Sequence, residues 1–91
     1  MKGANMQVNT CIRELLDARA ISPRRVSAEL GRSSEYVRNV SMPTRSPALA
    51  TVADVADVLG YDLVVRDRET GEDVGAIEAP RRSRASDEAS S

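Results

Sequence analysis

Between Arg24 and Arg45 the chain carries side chains suited to hydrogen-bonded recognition rather than to making or breaking bonds. Glu35, Arg38, Asn39 and Met42 fall within one short stretch. An asparagine amide donates and accepts at once and can pair bidentately with adenine. A glutamate can accept from cytosine N4, an arginine can reach guanine or a phosphate, and a methionine can touch a thymine methyl or simply pack. Glu35 has a second use, because a carboxylate in the first turn of a helix complements the helix dipole. Arg24, Arg25 and Arg32 are candidate phosphate contacts. Sets that do covalent chemistry are missing: histidine is absent, Cys11 is the one cysteine, and no nucleophile–base pair, phosphate loop or metal-ligand spacing occurs. No enzyme, cofactor or metal site is therefore expected.

Recognition residues need rigid elements beneath them, and residues 22–42 read as two short helices joined at Gly31. Ser22 caps the first, with Pro23 in the first turn, where a missing N–H costs nothing. Val26 and Leu30 supply its apolar stripe, and Gly31 takes the left-handed conformation that ends it. Ser33 or Ser34 then caps a second helix whose Val37 and Val40 point inward. At about 100° per residue, that choice puts Glu35, Arg38, Asn39 and Met42 on the opposite side. This is helix-turn-helix geometry, and it suggests a DNA reader.

Charge agrees once it is divided by segment. The net charge is −1 overall, yet residues 23–45 carry five arginines against two glutamates, while residues 46–79 carry two arginines against eight carboxylates. The surplus of positive charge lies on the two-helix segment, as an anionic partner would require.

The remaining chain frames that segment. Val8, Cys11, Ile12, Leu15 and Leu16 trace one face of an amphipathic first helix, with Cys11 as a small buried hydrophobe. Ser46 and Pro47 open a fourth helix with Leu49, Val52, Val55, Ala56 and Leu59 inward and Asp54 and Asp57 outward; Gly60 closes it. From Tyr61 the period changes to that of a strand, with Tyr61, Leu63 and Val65 on one face, and 73–77 can return as a second strand. The polar run after Ala79 reads as disordered. The expected fold is mainly α, four to five helices with a C-terminal β-strand or hairpin. It divides into a helix-turn-helix domain (1–60), a strand or hairpin (61–78) and a tail (79–91).

Helix, helix-turn-helix and helix in that order resembles the lambda-repressor and Cro-like (XRE) family of DNA-binding domains. Val26, Ser27, Leu30, Gly31, Val37 and Val40 carry the resemblance, and 48–65 is similar to members whose last helix runs through Leu-Gly-Tyr into a strand. Arg32 stands where the family usually has an apolar residue, and Pro23 where it often has glutamine. The resemblance implies base contacts from Ser34, Glu35 and Asn39; Arg38 and Met42 are added to them by their own chemistry. It also implies phosphate contacts from Arg45, with Arg24, Arg25, Arg32 and the flanking Tyr36 as further candidates.

A single reading helix covers few base pairs, and the family solves this with a two-fold dimer on a pseudo-palindromic operator in double-stranded DNA. Tyr61, Leu63 and Val65 are the expected homodimer interface, because an apolar edge strand left unpaired is a liability; the other reading is that the hairpin only closes the core. Two functions follow: a small repressor of phage or mobile-element type, or an antitoxin that binds a toxin partner and regulates its own operon. No run is apolar enough to span a membrane or act as a leader, so a cytoplasmic location is expected.

Overall fold

The computed structural model describes residues 5–82. Four helices come first: α1 (Val8–Arg19), α2 (Pro23–Glu29), α3 (Tyr36–Val40) and α4 (Leu49–Leu59). An antiparallel hairpin of β1 (Leu63–Arg66) and β2 (Asp73–Ile77) follows, and residues 80–82 add a last helical turn. No helix among the described residues is long and apolar enough to cross a membrane.

The core gathers Ile12 and Leu16 from α1, Val26 from α2, Val37 from α3, and Val52, Val55 and Leu59 from α4. Helix ends fix where the chain turns. After α2, Gly31 (φ 69°) donates to the Ala28 carbonyl and Arg32 N–H to that of Ser27, so two orphan carbonyls are satisfied while the chain reverses. Gly60 (φ 86°) ends α4 in the same way. α1 repeats the pattern with Ala20 at φ 56°, a conformation that crowds a Cβ. Ala20→Gly is therefore expected to stabilise the chain by about 0.5–1 kcal/mol, read as a higher urea midpoint at unchanged slope.

Several expected details differ. α3 is only five residues long. Its start is delayed by the turn after Gly31, and it stops before Met42, whose helical conformation the following Pro43 disfavours. Neither Ser33 nor Ser34 caps it; Glu35 occupies that position without a side-chain hydrogen bond. Ser46 does not cap α4 either, since that helix begins two residues beyond Pro47 and Ala48 supplies the extended residue before it. Val8 and Leu49 are not interior: as the first residues of their helices they project past the packed turns and stay exposed.

Asp54 and Asp57 do not face solvent as expected. Ala79 is buried, and the turn after it lies on α4. Arg81 N–H donates to Asp54 Oδ1 at 3.0 Å, while the Arg81 and Arg82 guanidiniums each take one oxygen of Asp57. The start of the segment expected to be disordered is thus docked, and residues 83–91 lie outside the described residues. Burial alone would raise the Asp57 pKa, but the two guanidiniums outweigh it and hold the carboxyl below its ordinary 3.8. A depressed pKa contributes stability above that ordinary value, and the contribution is lost as pH falls below it. Asp57→Asn should therefore lower stability near neutral pH and flatten the acid limb of the stability–pH curve below about pH 4.

In the hairpin, Asp67 Oδ1 accepts from the N–H groups of Glu69 and Thr70, and Gly71 (φ 77°) completes the turn. Leu63 pairs with Ile77, Val64 with Ala76 and Val65 with Gly75, before a bulge shifts Arg66 opposite Asp73.

Candidate nucleic-acid interface

α3 is held by α2 through one hydroxyl. Ser27 is fully buried; its Oγ donates to the Pro23 carbonyl at 2.9 Å and accepts from Val37 N–H at 2.9 Å. The first N–H groups of a helix have no partner within it, so a side-chain oxygen must meet them. Here that oxygen comes from the neighbouring helix. Ser27 therefore caps α3 from α2 and sets how the two helices meet. Its visible signal was a small hydroxyl residue beside Val26 on the inward side of α2, but a partner ten residues away leaves no local mark in the sequence.

At the other end of α3, the buried Ser41 hydroxyl donates to the Arg38 carbonyl at 3.0 Å. The loop that follows is tied to α1 by Asn9 Nδ2, which donates to the Pro43 carbonyl at 2.9 Å. With Val37 sealed, Arg38 and Asn39 are exposed, as are Ser34 and Glu35 before them. Arg38 Nη1 lies 3.6 Å from Glu35 Oε1, and both side chains remain mostly in solvent. A pair so exposed is worth little energetically, and either group can be released to another partner.

The structure brings Ser34, Glu35 and Arg38 together with Ser22 and Arg24 around one shallow cleft between the starts of α2 and α3. Ser22 Oγ accepts from Arg25 N–H at 3.2 Å, so the expected cap of α2 is present and Arg25 is exposed beside it. Arg32 lies over the Tyr36 ring, 4.8 Å from its centroid. Tyr36 itself is half-buried against the core and acts partly as packing. Met42 and Arg45 are exposed on the loop beyond α3 and do not line the cleft. Of the expected interface residues on the hairpin, Leu63 and Tyr61 pack partly on the core while Val65 is exposed. Arg19 lies 4.2 Å from the Tyr61 ring centroid and donates to the Leu59 carbonyl, which fixes the exit from α4.

The chain matches no family model, and no curated protein and no solved structure matches it.

Proposed function

We propose that this chain is a sequence-specific DNA-binding regulator, a repressor of helix-turn-helix type that reads a pseudo-palindromic site as a homodimer. The observation that carries this reading is the two-sided character of α3, whose Val37 is buried while Arg38 and Asn39 are exposed, on a helix held at its start by Ser27 of α2 and followed by a loop tied to α1 through Asn9. A reading helix must present its side chains in a fixed register to the bases, and packing on one side with capping from α2 supports that. In this reading α3 enters the major groove. Asn39, Arg38, Glu35 and Ser34 meet base edges, Met42 contributes apolar contact, and Arg24, Arg25, Arg32, Tyr36 and Arg45 meet phosphates. The excess of arginine over carboxylate in residues 23–45 supplies the field that draws DNA to this face.

The test is a gel shift against the DNA upstream of the chain's own gene at two salt concentrations, with unrelated DNA as competitor. A retarded band that survives the competitor and weakens with salt supports the proposal; equal competition by any sequence removes it. Arg45→Ala should weaken all sequences alike and lower the slope of log K against log salt by about one.

A further inference from the structure

The proposed reading face carries a carboxylate, Glu35, whose charge opposes DNA. Among the described residues that line the cleft between α2 and α3 it is the one acid, beside Arg24 and Arg38, and a negative charge turned toward phosphates weakens binding. Its structural uses are small. Glu35 makes no side-chain hydrogen bond to the start of α3. Its ion pair with Arg38 leaves the two side chains 63% and 74% exposed, too wet to add much stability. What the pair does have is a fixed order. Residues three apart on a helix are neighbours, so an acceptor and a forked donor stand side by side, with Arg38 Nη1 3.6 Å from Glu35 Oε1. The major-groove edge of a cytosine–guanine pair offers the complement: an N4 amino donor on cytosine beside the O6 and N7 acceptors of guanine.

We propose that Glu35 and Arg38 act as one unit that reads a single cytosine–guanine pair in each half-site, and its direction. Glu35 accepts from cytosine N4 while Arg38 donates to guanine O6 and N7. This rests on the DNA-binding reading of α3 and gives that face a base preference. Turned end for end, the same pair sets guanine's acceptors against the carboxylate and the cytosine amine against the guanidinium. Acceptor then meets acceptor, and donor meets donor. An adenine–thymine pair in the same place keeps a donor for Glu35 but offers Arg38 one acceptor, thymine O4, instead of two. Wrong sequences leave the carboxylate facing acceptors and phosphates with nothing to offset the repulsion. Glu35 thus sharpens discrimination by lowering affinity for all other DNA.

The test uses a duplex that the wild-type full chain enriches from a random-sequence pool, and the same duplex with each cytosine–guanine pair inverted in turn. Wild type, Glu35→Gln, Arg38→Ala and the double variant are titrated against each. Both side chains are exposed, so all four should share one circular dichroism spectrum. Inverting one pair in each half-site should cost wild type about 5- to 150-fold per half-site. Glu35→Gln should lose most of that preference, because glutamine donates as well as accepts, and Arg38→Ala should lose it at the same pair. The double variant should lose no more than the single ones, as two parts of one unit require. Glu35→Gln should also bind unrelated duplex more tightly than wild type, and Arg38→Ala more weakly. A Glu35→Gln chain that discriminates like wild type at every pair, with only its stability changed, overturns the proposal; if Asn39→Ala still loses discrimination, the DNA reading stands without it. Additive losses, or losses at two different pairs, also overturn it. A wild-type chain that enriches no sequence removes the DNA reading and this inference together.

Discussion

Ser27→Ala should cost the chain about 1–3 kcal/mol of stability, because it removes the acceptor from a buried N–H without offering another. The Val37 amide lies inside the protein, where no solvent replaces the lost hydroxyl. For a domain of this size that is a fall in melting temperature of roughly 4–8 °C for each kcal/mol, measured by thermal or urea unfolding. The comparison that isolates the cause is Ser34→Ala. That serine stands much nearer α3 in the chain but is exposed and caps nothing, so its loss should stay within about 0.5 kcal/mol. Equal effects from the two substitutions would show that the link between α2 and α3 has no energetic importance.

Asn39→Ala should lose roughly 5- to 150-fold in affinity for the preferred site, the equivalent of about 1–3 kcal/mol for one bidentate base contact. The loss should be confined to that sequence, with binding to unrelated DNA and the salt slope nearly unchanged, since no charge is removed. Because Asn39 is exposed, folding should be unaffected. A titration of wild type and variant against the preferred site and against a site altered at one base pair checks both halves. If the variant keeps full discrimination, α3 is not the reading element.

Helices, their order and the hairpin were legible because they rest on local rules: apolar spacing for α1 and α4, glycine after α2 and α4, and alternation after Tyr61. The inward Val26 and Val37 and the outward Arg38 and Asn39 followed from the same periodicity. What escaped was every feature that depends on a distant partner. Ser33 and Ser34 looked like caps because they precede α3, whereas the hydroxyl that serves is Ser27. Asp54 and Asp57 looked like solvent-facing carboxylates because their spacing sets them off the apolar stripe of α4; Arg81 and Arg82, which bond to them, arrive only after the hairpin. Val8 and Leu49 fit their stripes by spacing, but spacing does not reveal that a helix's first turn overhangs the core.

The Asp57 clasp gives the hairpin a second attachment. The chain leaves α4 at Gly60, runs out and back through β1 and β2, and is caught again on α4 by Arg81 and Arg82. An arm pinned at both feet samples far fewer orientations than one hinged at a single point, so less freedom is surrendered when a partner meets it. In a dimer built on this arm, the spacing between the two α3 helices would be a fixed ruler set by the protein. Cutting the chain before Ala79 would turn that ruler into a flexible tether, tolerant of half-sites set at several spacings.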